Sequence, residues 1–243
     1  MKMHHRLLPI IGISTLLFAS IGLRAQTPAA PMRIACVGDS ITFGMRTTRG
    51  AKGAFINSYP AQLQRMLGSE AVIGNFGQSG ATLLNAGTRP YQKLPPFKAA
   101  LASNPSVVVI QLGTNDANPK NWVHKDQFVA DYLELVRQFQ ALTPAPRIFL
   151  CLPPWPANAD YEAALQEQLP LIKKVAAETH SDIIDVHGAF LNKKNLLADS
   201  LHPNDEGATV LAKTVYAAIM GKPFTGAIPA PSPDLDGAAT KGN

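Results

Sequence analysis

The chain has 243 residues, of which 46% are hydrophobic and 16% are charged. This is enough apolar sequence for the core of one ordinary domain, which excludes wholesale disorder. The formal net charge is +5, but residues 1–25 contain three basic and no acidic side chains, and the remainder has 19 basic against 17 acidic residues. So small a surplus gives no reason to expect a nucleic-acid partner.

The first 25 residues have the pattern of a signal peptide. A basic segment, residues 1–6, precedes an apolar segment, residues 7–21, and the small residue Ala25 follows. The apolar segment is about 15 residues long, whereas a membrane-spanning helix needs about 20. We therefore expect residues 1–25 to be removed on export, which gives a secreted or periplasmic protein with no stable membrane anchor. An uncleaved anchor and a cut after Ala30 are the alternatives.

Short apolar segments alternate with amphipathic ones in the rest of the chain. Five apolar segments predict strands, at residues 33–37, 71–75, 106–112, 147–152 and 182–186. Four amphipathic segments predict helices, at residues 59–67, 126–142, 158–178 and 205–220. Within the third of these, Pro170 predicts a kink or a division into two helices.

Strands that alternate with helices favour a parallel sheet with helices on both of its faces. We see no second hydrophobic core, so residues 26–221 are expected to form one α/β domain. Residues 222–243 are rich in Pro, Gly, Ala and Ser and have no periodicity, which predicts a flexible tail.

Small and reactive residues follow the predicted strands. The segments are Gly38-Asp39-Ser40, Gly80, Gly113-Thr114-Asn115-Asp116 and Asp199-Ser200-Leu201-His202. The carboxyl ends of parallel strands share one edge of a sheet, where ligands usually bind. A serine needs a base to take its proton, and the base needs an orienting group. The spacing of Asp199 and His202 lets the carboxylate reach Nδ1 and leaves Nε2 free for Ser40, which predicts a triad.

Acyl transfer also needs hydrogen-bond donors where negative charge develops on the substrate oxygen. Gly80 can bring a backbone N–H close because it has no Cβ. Asn115 offers a side-chain amide, and the N–H of Ser40 is a third donor. Each segment alone also fits an ordinary turn or helix cap. The placement of all of them after successive strands is what favours a hydrolytic site.

Together these segments resemble the four blocks of the SGNH (GDSL-type) hydrolase superfamily, intact and in the same order. The resemblance implies a flavodoxin-like three-layer α/β/α sandwich with five parallel strands in the order 2-1-3-4-5. It also implies a serine esterase mechanism, with Ser40, Asp199 and His202 as the catalytic residues. Ser40, Gly80 and Asn115 are then the donors of the oxyanion hole. The Gly-x-Ser-x-Gly elbow of α/β-hydrolases is absent around Ser40.

Residues 41–44, 57–63 and 75–82 further resemble sialate O-acetylesterases and acetylxylan esterases of that superfamily. This implies a small ester or acetylated glycan as substrate, with acetyl as the expected acyl group. Asp39 and Trp155 are the candidate substrate-binding residues, and Trp155 either stacks on a sugar ring or packs as an aromatic lid. His and Cys residues are not clustered, so we expect no metal and no cofactor.

Other functions are open at this stage. A lysophospholipase or thioesterase would use the same chemistry on longer acyl chains, and a glycan-binding module would use the same fold without catalysis. A phosphate-binding protein of flavodoxin type fits less well, because the loop after the first strand has no glycine-rich cradle. The cations Arg46, Arg49 and Lys52 indicate an ordinary solvated loop, with contact to an acidic substrate as the alternative.

The two cysteines, Cys36 and Cys151, lie in the first and fourth predicted strands. In the strand order that the resemblance implies, the third strand separates them by two strand spacings, about 9.6 Å. A disulfide needs Cα atoms within about 7 Å. We therefore expect two buried free thiols.

Overall fold

The computed structural model describes residues 30–231 and Met1. Apart from Met1, the predicted signal peptide lies outside the described residues, as do residues 232–243 of the predicted tail. Five parallel strands form one sheet: β1 (Met32–Gly38), β2 (Ala71–Gly77), β3 (Val107–Gln111), β4 (Arg147–Leu152) and β5 (Asp182–Asp185). Their order is β2-β1-β3-β4-β5, which confirms the order implied by the resemblance.

The described residues also form eight α-helices, which are α1 (Ser40–Phe43), α2 (Tyr59–Leu67), α3 (Pro95–Ala102), α4 (Pro119–Trp122), α5 (Phe128–Gln140), α6 (Ala159–Thr179), α7 (Val186–Phe190) and α8 (Asp205–Met220). The four predicted helices correspond to α2, α5, α6 and α8. The other four have at most eight residues, too few for a helical period to be read from the sequence. No helix in this part of the chain is both long and apolar enough to cross a bilayer.

Pro170 lies inside α6, which continues unbroken from Ala159 to Thr179. The predicted division into two helices is therefore wrong. A proline cannot donate to the carbonyl of the residue four positions earlier, here Gln166. Both Pro170 and Gln166 are exposed, so water can bond to the freed carbonyl and the helix can continue.

The sheet separates two hydrophobic cores, because successive side chains of a strand point to opposite faces. Ala35 and Val37 of β1 contact the core formed with α3, α5 and α6. Ile34 and Cys36 of the same strand contact the core formed with α2 and α8. All residues of β3 are buried, as expected for a central strand covered on both faces. The predicted three-layer α/β/α sandwich is confirmed.

Strand β3 lies between the two strands that carry the cysteines. Cys36 is paired with Val109 of β3, and Val109 is paired in turn with Phe149 of β4. Cys36 and Cys151 are both buried and both free. The expectation of two buried free thiols is confirmed.

The last helix leads into the described part of the predicted tail. The side chain of Asn204 caps α8 by accepting a hydrogen bond from the N–H of Gly207, and the helix is followed by Gly221 with a φ of 67°. Beyond it, the ring of Phe224 packs edge-on against Tyr216 of α8, with 5.1 Å between the ring centroids. The first residues of the tail therefore contact the domain.

Candidate active site

Three strands end level at one edge of the sheet. Gly38, the last residue of β1, is paired with Gly77 at the end of β2 and with Gln111 at the end of β3. The predicted site segments follow within four residues of these ends and contain Ser40, Gly80 and Asn115. Strand register therefore collects three sequence-predicted site segments at the same edge.

Ser40 is the first residue of the short helix α1, which begins directly after β1. Asp39 caps this helix, because its Oδ1 accepts a hydrogen bond of 2.9 Å from the N–H of Ile41. A Cβ on Gly38 would collide with the side chain of Thr42 and with the carbonyl oxygen of Gln111. Glycine at position 38 thus lets α1 lie close against β3 and presents Ser40 at the edge.

Ser40, His202 and Asp199 form a continuous chain of hydrogen bonds. The Oγ of Ser40 lies 3.0 Å from Nε2 of His202. On the other side of the ring, Nδ1 lies 3.0 Å from Oδ2 and 3.2 Å from Oδ1 of Asp199. An ionised carboxylate can only accept, so Nδ1 carries the proton and Nε2 is left to accept from the serine hydroxyl. This is the arrangement that activates a serine.

The carboxylate of Asp199 is strongly hydrogen-bonded. Its Oδ1 accepts from the backbone N–H of Leu201 at 2.9 Å and from that of His202 at 2.7 Å. Partial burial by itself raises the pKa of Asp199, but these bonds together with the His202 ring outweigh it and lower the pKa to about 2. The carboxylate therefore stays ionised at any pH at which an esterase is ordinarily assayed.

A tight loop presents Asp199 and His202. The N–H of Ala198 donates to the carbonyl oxygen of His202 at 2.8 Å, across the base of this loop. The N–H of Ala157 donates to the carbonyl oxygen of Ser200 at 2.8 Å, which joins the loop to the segment after β4. That segment carries Trp155, which is partly buried against the core shared with α2 and α8.

The segments that contain Gly80 and Asn115 are bonded to each other. The side-chain amide of Asn115 donates to the carbonyl oxygen of Ala81 at 2.9 Å. Next to it, the carboxylate of Asp116 accepts from the N–H groups of two residues, Leu83 and Leu84, at 2.9 and 2.8 Å. Gly80 has a φ of 76°, a conformation that favours glycine.

Asp39 is fully buried, which does not support the prediction that it binds substrate. Burial raises its pKa to about 7, and the nearby carboxylate of Asp116 adds to the rise. Its observed role is to cap α1 behind the serine. The tripeptide Gly38-Asp39-Ser40 indicated proximity to the site, but it could not show that the middle side chain points inward.

The structure brings Arg46 and Asp205 into the site region, although the sequence analysis connected neither of them with the triad. Arg46 contacts the carboxylate of Asp199, with 3.2 Å between Nε and Oδ2. Asp205 accepts hydrogen bonds from Thr48 and Asn57 and so holds the loop that follows Arg46. Because Arg46 and Asp199 are 153 positions apart, no local pattern could reveal their contact.

This edge of the sheet can support acyl transfer with protein groups alone. A hydroxyl, an imidazole and a carboxylate are hydrogen-bonded in succession, and backbone and amide N–H donors follow the neighbouring strands. Within residues 30–231, no three or more His, Cys, Asp or Glu side chains are grouped as they would be to hold a metal ion.

Comparison with known sequences finds one matching protein family and two curated relatives. Residues 36–210 match the GDSL-like Lipase/Acylhydrolase family. The chain is 36% identical over 212 residues to an acetylxylan esterase of Xylanibacter ruminicola, and the match covers 77% of this chain and 43% of that protein. It is 24% identical over 238 residues to a multidomain esterase of Ruminococcus flavefaciens, covering 84% of this chain and 30% of that protein. The chain thus spans less than half the length of these curated relatives.

Solved structures share the fold. A carbohydrate acetylesterase from Sinorhizobium meliloti superposes with a TM-score of 0.65 at 19% identity, covering 78% of this chain and 99% of that one. A catalytic mutant of an acetylxylan esterase from Geobacillus stearothermophilus superposes with a TM-score of 0.63 at 22% identity, covering 81% and 97% of the two chains. The α/β/α sandwich is therefore common to all three proteins.

Proposed function

Because this chain belongs to the GDSL-like lipase/acylhydrolase family, we propose that it is an exported serine esterase that removes short acyl groups, acetyl above all, from carbohydrate. The observation that carries the proposal is the 3.0 Å contact between Ser40 Oγ and His202 Nε2, with Asp199 on the far side of the ring. The relative named as an acetylxylan esterase supports acetyl as the acyl group and a glycan as the substrate.

In the first half of the reaction, Ser40 is the nucleophile and His202 is the general base. Nε2 takes the hydroxyl proton as Oγ attacks the carbonyl carbon of the ester. The imidazolium then gives this proton to the sugar oxygen as the bond between carbonyl carbon and sugar oxygen breaks. The sugar leaves as an alcohol, and the acetyl group remains on Oγ.

In the second half, His202 takes a proton from water as the water oxygen attacks the acetyl carbon. The proton returns to Oγ as the bond to Ser40 breaks, and acetate leaves. Asp199 keeps the proton on Nδ1 and stabilises the imidazolium in both halves. Its ionised state suits this role.

Three donors stabilise the oxygen that becomes negative in each tetrahedral intermediate: the backbone N–H groups of Ser40 and Gly80 and the side-chain amide of Asn115. The amide of Asn115 has two N–H groups and gives one to the carbonyl oxygen of Ala81. The other is available to the substrate oxygen.

Trp155 is our candidate for a contact with the sugar. It is partly buried, and its segment is bonded to Ser200, which lies between Asp199 and His202 in the chain. An aromatic ring beside the catalytic loop can lie against the apolar face of a sugar.

The proposal extends to the remaining segments of the chain. Residues 1–25 direct export and are removed, and residues 26–221 form the catalytic domain. The basic and apolar segments at the start of the sequence support export. Acetylated polysaccharides lie outside cells, so an exported enzyme would meet them.

The test is acetate release from acetylated xylan and acetylated sialosides, together with hydrolysis of p-nitrophenyl acetate and decanoate. We expect acetate release, a preference for the acetyl ester, and loss of both in Ser40→Ala. The variant should stay folded, because the hydroxyl makes its described hydrogen bond only to His202. A preference for decanoate would instead indicate a lysophospholipase or thioesterase. Glycan binding without turnover would indicate a binding module and overturn the proposal.

A further inference from the structure

A guanidinium group shares the catalytic carboxylate with the imidazole. Arg46 Nε lies 3.2 Å from Oδ2 of Asp199, and the same oxygen lies 3.0 Å from Nδ1 of His202. The other carboxylate oxygen is held by two backbone N–H groups. Oδ2 is therefore the oxygen whose position depends on side chains, and Arg46 is one of the two that contact it.

The backbone around Arg46 is fixed to the segment of Ser40. The N–H of Met45 donates to the carbonyl oxygen of Ser40 at 2.9 Å, and the N–H of Thr47 donates to that of Gly44 at 3.0 Å. Between them, Arg46 has a φ of 72°, in the left-handed region that residues with a Cβ disfavour. Such a conformation persists where the surrounding structure enforces it, and it occurs often at functional sites.

The loop that follows Arg46 is anchored to the catalytic segment at a second point. Asp205, three residues after His202, accepts from the N–H of Thr48 at 2.7 Å and from Nδ2 of Asn57 at 2.9 Å. An exposed ion pair between two free side chains is usually weak. Here both partners sit on backbone that is already held in place, so less conformational freedom is lost when the pair forms.

These hydrogen bonds and the ion pair form a closed ring of contacts that starts and ends at Ser40. It runs from the Ser40 hydroxyl through His202 and Asp199 to Arg46, and returns along the backbone bonds of Met45 to the carbonyl oxygen of Ser40. We propose that Arg46 is a positioning residue of the esterase, which holds Oδ2 of Asp199 against the ring and so keeps Nε2 aligned with the serine. This inference rests on the proposed function, because it needs the triad to be catalytic.

A positioning role has a kinetic signature that differs from substrate binding. Misalignment of the base lowers kcat, whereas loss of a substrate contact raises KM.

The experiment compares Arg46→Gln with Arg49→Gln. Arg49 is an exposed cation on the same loop, and its guanidinium lies over the ring of Phe55 at 4.2 Å rather than on Asp199. Both variants remove one positive charge, so they differ in the contact with the carboxylate. Arg46→Lys, which keeps the charge, is the conservative variant. Each is assayed on p-nitrophenyl acetate for kcat and KM, with thermal melts to check folding.

We expect Arg46→Gln to lower kcat about fivefold, with KM changed less than twofold. Arg46→Lys should recover part of the lost kcat, and Arg49→Gln should behave as the wild type. In an Asp199→Asn background, Arg46→Gln should add little, because the two residues act through one contact.

Three results would overturn the inference: a rise in KM with unchanged kcat, equal effects of Arg46→Gln and Arg49→Gln, or no effect of Arg46→Gln. Ser40→Ala is assayed beside them. If Ser40→Ala keeps full activity, the proposed function fails; if it is inactive while Arg46→Gln equals Arg49→Gln, only the role of Arg46 fails.

Discussion

Asn115 donates a hydrogen bond of 2.9 Å from its side-chain amide to the carbonyl oxygen of Ala81, and this bond joins the loop after β3 to the loop after β2. Ala81 directly follows Gly80, whose N–H is another proposed oxyanion donor. The carbonyl oxygen of Asn115 in turn accepts from the amide of Asn121 at 2.8 Å. Hydrogen bonds within the protein thus hold Asn115 against the segment that contains Gly80, and such fixed donors are what electrostatic stabilisation of a transition state requires.

We expect Asn115→Ala to lower kcat by about 10²–10³, with less effect on KM, because it removes one oxyanion donor. Steady-state kinetics on p-nitrophenyl acetate measures both constants. Asn121→Ala serves as the comparison, since it loosens the same loop but leaves the donor, and it should cost less than about tenfold. Wild-type kcat in Asn115→Ala would remove this residue from the oxyanion hole.

We expect Gly80→Ala to impair catalysis more than its backbone strain explains. Gly80 and Gly53 both have a left-handed φ, 76° and 81°. An added Cβ meets only ordinary contact at Gly80 and nothing within 4 Å at Gly53. Alanine at either position should therefore cost at most about 1–2 kcal/mol of unfolding free energy. Denaturant melts and kcat, measured on both variants, should show similar destabilisation but a fall in kcat only for Gly80→Ala. Equal kcat values would contradict a role for the Gly80 N–H.

The buried carboxylate of Asp39 should make stability depend on pH. Its pKa is about 7 in the folded protein, raised chiefly by burial, whereas an aspartate in an unfolded chain has a pKa of about 3.9. Between these values the folded state binds more protons than the unfolded state. The contribution of this group to stability is therefore present below pH 4 and is lost as the pH rises through 7.

Asp39→Asn tests this, because an amide oxygen can still accept from the N–H of Ile41 but the side chain cannot ionise. Its unfolding free energy relative to wild type should increase from pH 4.5 to pH 8. Denaturant melts at the two pH values measure the difference. A difference that does not change with pH would show that Asp39 is not the group responsible.

We expect Trp155→Leu to weaken binding of a sugar without affecting the chemistry of the ester. For acetylated xylooligosaccharides, KM should rise about fivefold because a stacking surface is lost. For p-nitrophenyl acetate, which has no sugar, kcat and KM should stay within twofold. If the two substrates respond alike, Trp155 supports the site only by packing.

Most of the fold followed from local pattern. The apolar segments predicted all five strands, and the amphipathic segments predicted the helices α2, α5, α6 and α8. The order of the strands came from the resemblance, since pairing between distant segments has no local pattern. The short helices and the continuity of α6 through Pro170 could not be predicted, because both depend on neighbouring elements and on exposure.

The candidate site was likewise predicted in part from the sequence. The spacing of Asp199 and His202 and the segment around Ser40 led to three side chains that the structure brings into contact. The burial of Asp39 and the contact of Arg46 with Asp199 were not predictable. The first depends on the direction in which one side chain leaves a turn, and the second on a loop closing across the domain.

Covalent labelling with a fluorophosphonate tests the activation of Ser40 most directly, because the reagent bonds to a serine whose proton is removed by an adjacent base. Intact-mass and peptide mass spectrometry should find one adduct, on Ser40, in the wild type. His202→Ala should remain largely unlabelled under the same conditions. A wild type that stays unlabelled, or carries the adduct on another serine, would contradict the proposed mechanism.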